Sequence, residues 1–213
     1  MKRVLIMALG SLAIGLSAGV QADGHALTGD PVAGKAKSAT CVACHGADGN
    51  SSNPEWPKLA GQGEAYLLKQ LMNFKADKDS PDHRSNASMN GMVMPLSEQD
   101  MADLAAYYAS QEATPGEASE DMVALGRMIY KGGNNDTGVT ACAACHSPNG
   151  SGNPAAKYPM LAGQHAKYTE MQLKAFSEGE RANDPAQMMR NIAAKMSKEE
   201  MKAVAEYVAG LQK

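Results

Sequence analysis

The pentapeptide Cys41-Val-Ala-Cys44-His45 returns as Cys142-Ala-Ala-Cys145-His146, 101 residues further along the chain. Any fold for this sequence must accommodate that pattern twice. The surroundings repeat with it. Pro57-Lys-Leu-Ala-Gly-Gln62 matches Pro159-Met-Leu-Ala-Gly-Gln164. Tyr66, Gln70, Leu71 and Phe74 match Tyr168, Gln172, Leu173 and Phe176, and Tyr107 matches Tyr207. Ser97-Glu-Gln-Asp100 matches Ser197-Lys-Glu-Glu200. The offset stays between 100 and 102, so insertions and deletions are small. Such a period is far longer than a solenoid repeat and marks a duplicated domain of about 90 residues per copy. Residues 132–140 (GGNNDTGVT) lengthen the approach to the second pentapeptide and have no counterpart in the first copy.

The segment before the first copy has a different character. Lys2 and Arg3 precede an apolar run over residues 4–20, and Val20-Gln21-Ala22 supplies the small-x-small pattern of a signal-peptidase site. Residues 1–22 therefore read as a signal peptide cleaved after Ala22. Gly10, Gly15 and Gly19 interrupt a run barely long enough to span a bilayer, which disfavours a retained anchor. The expected domains are residues 23–110 and 121–213. The polar segment 111–120, with Pro115-Gly116, is the expected linker.

Each copy reads as helical. Asp30 can cap a helix that starts at Pro31, a residue suited to the first turn. A middle helix is expected over 64–76, with Leu67, Leu71 and Phe74 on one face. Ser97 with Asp100, and Ser197 with Glu200, are capping boxes. After them Met101, Leu104, Ala105 and Tyr108 fall at i, i+3, i+4 and i+7, and Met201, Val204, Ala205 and Val208 repeat the stripe. No stretch alternates as a strand would. The expected class is all-α.

Cys-x-x-Cys-His is a c-type haem attachment signal. Two thiols add across the two vinyl groups of one porphyrin, and the adjoining imidazole supplies a proximal nitrogen to the iron. Four cysteines in an exported chain could instead form disulfides, but neither disulfides nor zinc require a His after both pairs. A zinc site would also bring the pairs closer in sequence than the 98 residues between Cys44 and Cys142. A thioredoxin-like pair needs a βαβ setting, which is absent. Composition agrees: aromatics are only 5% of the chain, thin for two small protein-only cores. The expected cofactors are two covalently bound haem c groups, held by Cys41, Cys44, Cys142 and Cys145, with His45 and His146 on the iron.

The sixth ligand decides function. His25, His83 and His165 do not match between copies, so ordinary surface or loop roles are expected for them. Fifteen methionines remain, and any one of them is more often core filler than ligand. Met89 and Met189 both lie eight residues before a capping serine. Met101 and Met201 also coincide, but on the apolar stripe. Met89 and Met189 are the expected sulfur ligands, in a loop folded over the haem, with Met92 and Met188 as alternatives.

On these motifs the chain resembles the dihaem cytochromes c4 of the class I cytochrome c superfamily, over essentially the whole sequence after residue 22. The resemblance rests on both Cys-x-x-Cys-His motifs, both Pro-x-Leu-Ala-Gly-Gln segments, the terminal helices and the paired Met. It implies two tandem cytochrome c domains about a pseudo-twofold axis, each around one His/Met haem. It also implies electron carriage from a quinol-oxidising bc1-type complex to a terminal oxidase, in the periplasm or on its membrane face.

A six-coordinate iron leaves no open site for a substrate, so outer-sphere electron transfer is the expected activity, and no enzyme or small-molecule substrate is expected. A formal charge of -3 excludes a general nucleic-acid binder. Two other readings compete: a dihaem peroxidase, which needs an iron able to open, and an electron-accepting subunit of an exported dehydrogenase. Charge is uneven. Residues 23–116 hold 7 basic and 12 acidic side chains, whereas residues 117–213 hold 11 of each. Negative surroundings favour ferric iron, so the haem on Cys142 and Cys145 is expected to have the higher potential. Tyr66, Tyr168, Gln62 and Gln164 are read either as haem-propionate partners or as packing where the middle helix begins. Trp56 and Tyr158 are expected against the haem edges.

Overall fold

The computed structural model describes residues 27–212. The expected signal peptide and its cleavage site, and His25, lie outside them. The described residues form ten α-helices and no strand beyond two isolated bridges, Asn134 with Val139 and Asn153 with Tyr158. The all-α expectation holds, and the helices come in two matching sets. The first set is α1 (Pro31–Lys37), α2 (Ala39–His45), α3 (Glu64–Lys75), α4 (Ala87–Val93) and α5 (Glu98–Ala109). The second is α6 (Glu120–Gly132), α7 (Ala143–His146), α8 (Ala166–Ser177), α9 (Met188–Ala193) and α10 (Lys198–Ala209). In each set the first helix crosses the last, the middle helix packs on the last, and the short fourth helix leans on the middle one.

Local chemistry sets the helix starts where the sequence places them. Asp30 accepts from the Val32 amide at 2.8 Å ahead of Pro31. Ser97 and Asp100 exchange hydrogen bonds with each other's backbone, and Ser197 and Glu200 do the same, satisfying amides that a helix start leaves free. The two apolar stripes on α5 and α10 are buried throughout.

The helix crossing depends on glycine. A Cβ at Gly34 would sit 2.0 Å from the Asp103 carbonyl oxygen and 2.8 Å from the Tyr107 Cβ. One at Gly126 would sit 2.1 Å from the Ala203 oxygen and 2.7 Å from the Tyr207 Cβ. The backbones of α1 and α5, and of α6 and α10, therefore touch at equivalent points. Around that contact the copies differ by an exchange of bulk. The first copy has Ser38 on the leading segment and Tyr108 on α5, whereas the second has Tyr130 on α6 and Val208 on α10. All four are buried. One large ring fills each core beside the first cysteine, delivered from opposite helices. Volume is conserved although the residues are not.

The segment between α5 and α6 is fastened along most of its length. The Asn50 side chain donates to the Glu112 carbonyl and accepts from the Thr114 amide, both at 2.9 Å. Lys58 Nζ donates to the Thr114 carbonyl at 2.9 Å. The extra loop in the second copy is closed by the Asn134–Val139 bridge and tied to α10 by Asn134 Nδ2 donating to Glu200 at 2.7 Å.

Gly34→Val or Gly126→Val is expected to cost about 3 kcal/mol or more, because the obstacle is backbone and cannot turn aside. Gly132→Ala, where nothing lies within 4 Å, is expected to leave stability unchanged or raise it by about 0.5 kcal/mol. Thermal unfolding of the purified holoprotein checks all three.

Candidate functional site

Each pentapeptide lies on a helical turn. α2 carries Cys41, Cys44 and His45, and α7 carries Cys145 and His146 with Cys142 as its N-cap residue. The i, i+3 spacing places both sulfurs of a pair on one face of the turn. A left-handed residue then turns the chain away: Gly46 in the first copy and, without glycine's freedom, Ser147 in the second, at φ 67. Ser147 is held there by its hydroxyl, which bonds to Asn149 and Ser151. No disulfide joins any of the four cysteines; Cys44 is exposed and the others are half-buried.

The imidazoles are positioned by the repeated proline segments. His45 Nδ1 donates to the Pro57 carbonyl at 2.9 Å, and His146 Nδ1 donates to the Pro159 carbonyl at 3.0 Å. Engaging Nδ1 fixes the tautomer and leaves Nε2 as the nitrogen with a lone pair for a metal. Both rings are buried. Burial lowers both pKa values, only partly opposed by the carbonyl bond, so each ring is neutral at pH 7, as ligation demands. Among the described residues no three His, Cys, Asp or Glu side chains converge on a common point. A metal here would need a chelating ring to supply its remaining bonds, and two free thiols beside a neutral imidazole are the fittings for a covalently held porphyrin. The Tyr108 hydroxyl is buried beside Cys41 and Ser38.

Met89 lies on α4 and Met189 on α9, so the paired methionines sit on short helices rather than in the loops expected from sequence. Asn86 caps α4 by accepting from the Met89 amide at 2.9 Å. Met189 packs against the same apolar cluster as Cys142. Its neighbour Met188 already has a partner, because the Tyr158 hydroxyl reaches its Sδ at 3.5 Å. Met92 and Met94 are exposed. Tyr158 lies against His146, with ring centroids 6.1 Å apart, whereas Trp56 is 40% exposed. His83 and His165 donate to the carbonyls of Ala76 and Ser51 at 2.8 Å each, ordinary structural roles.

Gln62 and Gln164 do something the sequence reading missed. Gln62 takes the Met160 amide at 2.7 Å and donates to the Met160 carbonyl at 2.9 Å. Gln164 does the same to Lys58, at 2.9 Å for both bonds. Each copy thus clasps the backbone of the other at the residue directly after its histidine-binding proline. All these groups are buried. The repeat itself was the signal, but nothing in one sequence says that a conserved-looking glutamine faces the other copy. Tyr66 and Tyr168 also turn to the seam, accepting from Arg181 and Arg84 respectively at 3.1 Å.

The family model described as Cytochrome c matches residues 31–112 and again 123–212. The chain is 49% identical over 201 residues to cytochrome c4 of Azotobacter vinelandii, covering 92% of this chain and 95% of that one. It is 36% identical over 178 residues to a thiosulfate dehydrogenase electron acceptor of Thiomonas intermedia, covering 81% and 79%. The crystal structure of reduced recombinant cytochrome c4 from Pseudomonas stutzeri superimposes with a TM-score of 0.84 at 47% identity, covering 87% of this chain and 100% of that one.

Gln62→Ala leaves the Met160 amide and carbonyl buried without partners, which costs about 1–3 kcal/mol. Denaturant unfolding is expected to show that loss, and hydrogen exchange at the Met160 amide to accelerate ahead of the α10 amides.

Proposed function

The chain belongs to the cytochrome c family as a dihaem cytochrome c4 with two covalent haem c groups, and from that premise we propose that it carries electrons in the periplasm between a quinol-oxidising bc1-type complex and a terminal oxidase. It is an electron-transfer protein and not an enzyme. In this reading residues 1–22 are removed on export, and residues 23–110 and 121–213 are the two carrier domains. Among the described residues no helix is long and apolar enough to cross a membrane.

Cys41 and Cys44 would hold one haem and Cys142 and Cys145 the other, with His45 and Met89, and His146 and Met189, as the protein ligands to the iron. When bound, each haem supplies a one-electron ferric/ferrous couple, which Met opposite His biases toward ferrous iron. The chain does the rest. The Pro57 and Pro159 carbonyls hold the imidazoles in one orientation and one tautomer, so ligation needs no rearrangement. Burial keeps the rings neutral. Met89 and Met189 would each offer a thioether sulfur to the iron, leaving no position for an exogenous ligand. The observation that carries this reading is the anchored neutral imidazole beside two free thiols, made twice. Purified protein should be reduced by a quinol-oxidising complex and reoxidised by oxidase-containing membranes.

The match to a thiosulfate dehydrogenase electron acceptor supports a second reading, a carrier dedicated to an exported dehydrogenase. The two separate by rate. Reduction by a thiosulfate dehydrogenase faster than by the bc1-type complex selects the second.

Met89→Leu and Met189→Leu are each expected to remove half of the Met-to-ferric-iron charge-transfer absorbance, whereas Met92→Leu and Met188→Leu leave it intact. Loss of absorbance in the latter pair would move the ligand assignment. Redox titration of the same variants assigns each potential to its site. The site on Cys142 and Cys145 is expected to be the higher, and equal or inverted values contradict the charge argument.

A further inference from the structure

Met89 and Met189 sit on helices too short to hold themselves, seven residues for α4 and six for α9. The residue after each methionine ties its strap down. In the first half this is Asn90. Its Nδ2 donates to the Phe74 and Arg84 carbonyls at 2.6 and 2.9 Å, and its Oδ1 accepts from the Asn86 amide at 2.8 Å. Asn86 in turn caps the Met89 amide. In the second half the matching residue is Arg190, 100 positions later. Its amide and its Nε both donate to the Asp184 carboxylate, at 2.9 and 2.7 Å, and its Nη2 donates to the Ala182 carbonyl at 3.0 Å. Neutral amides hold one strap, and a charge pair holds the other.

The second strap is also held against its own backbone. Ala186 stands where the first copy has Asn86, so the side-chain cap is gone, and Gln187 at the start of α9 makes no capping bond. Ala186 and Gln187 both lie in the left-handed region, at φ 51 and 57, where a Cβ is strained. Among the described residues every left-handed residue other than glycine is in the second half. Two in succession persist only where the surroundings over-determine them. Asp184 and Arg190 bracket this pair, two residues before it and three after it. The Tyr158 hydroxyl adds a tie to Met188 Sδ at 3.5 Å. The Asp184 side chain is 4% exposed. Without the guanidinium its carboxylate is left buried and without its ion-pair partner, which is strongly destabilising, and the strained turn loses the bond that closes it.

We propose that Arg190, paired with Asp184, is the positioning residue for Met189: the charge pair holds a strained strap in place, and breaking it releases the thioether of the second half while the first half keeps its own. The proposal rests on the reading of Met89 and Met189 as the sulfur ligands. Arg190 acts through the strap and does not itself offer a ligand. Release of the thioether lowers the potential of the haem on Cys142 and Cys145, because Met opposite His favours ferrous iron. It also leaves that haem alone open to an exogenous ligand. The two halves thus share a ligand pattern and differ in what keeps it closed.

The test uses the dihaem holoprotein with Arg190→Gln and Arg190→Lys, and with Met189→Leu as the reference for a lost second sulfur. The readings are the Met-to-ferric-iron charge-transfer absorbance, both midpoint potentials, and carbon monoxide uptake by the reduced protein at neutral pH. Arg190→Gln is expected to match Met189→Leu. It loses half of the absorbance, shows a several-fold higher ferric-to-ferrous ratio at the second haem at fixed applied potential, and takes up one carbon monoxide per chain. Arg190→Lys, which keeps the charge, retains most of the absorbance. An Arg190→Gln protein that unfolds more easily but keeps the full absorbance has lost packing alone and overturns the proposal, even if its potential falls with the lost charge. A Lys variant as impaired as the Gln variant also overturns it. If Arg190→Gln does not fold, Asp184→Asn is read in the same way. Loss at the second haem alone supports the proposal, and full absorbance or failure to fold overturns it. Full absorbance in Met189→Leu refutes the ligand reading, and the proposal with it, which the Arg190 variants by themselves do not.

Discussion

His45 and His146 each give their Nδ1 proton to the carbonyl of a proline 12 or 13 residues further on. That bond sets what each half can do. It leaves Nε2 as the nitrogen with a lone pair to offer, it fixes the plane of the ring, and it works only if the Pro57 or Pro159 segment is held rigidly beneath the Cys-x-x-Cys-His turn. Much of the remaining structure supplies that rigidity. The Gly49 and Gly150 carbonyls accept from the segments that follow the prolines. The terminal helices accept from Gly61 and Gly163 through the Tyr108 and Val208 carbonyls. The glutamine ending each segment then clasps the partner segment in the other half. Holding the imidazole and holding the two halves together are therefore one set of contacts.

This linkage gives a physical reason for the duplication to persist as a symmetric pair. Lys58 and Met160 occupy equivalent positions and share no side-chain chemistry, yet each offers its backbone to a glutamine from the other copy. Backbone recognition tolerates divergence at the side chain. The exchange of Ser38 and Tyr108 for Tyr130 and Val208 shows the same tolerance in the cores, where volume is kept and its source is not.

Much of the fold was legible because it is local. Asp30, Ser97 and Ser197 cap the helices they announce, and the Met101 and Met201 stripes are buried as their spacing requires. The cysteine pairs and histidines were legible because haem chemistry fixes their spacing. The correspondence of Met89 with Met189 was legible only through the repeat, and their short helices were not, since α4 and α9 are too brief to show a period. The glycine crossing was missed because a lone Gly34 or Gly126 carries no pattern of its own. The arginine pair was hidden by opposing indels. Arg84 and Arg181 are 97 residues apart, outside the 100–102 register, and the 3₁₀ turn Pro185–Gln187 restores the register only at Met189.

The proposed electron-carrier function requires two iron centres closed on both faces, by imidazole on one and thioether on the other. Carbon monoxide added to the fully reduced native protein at neutral pH tests this most directly, because ferrous haem with an open or weakly held position binds it within seconds. The account predicts no change in the Soret band at either haem. Ready formation of a carbonyl complex at one or both would contradict it.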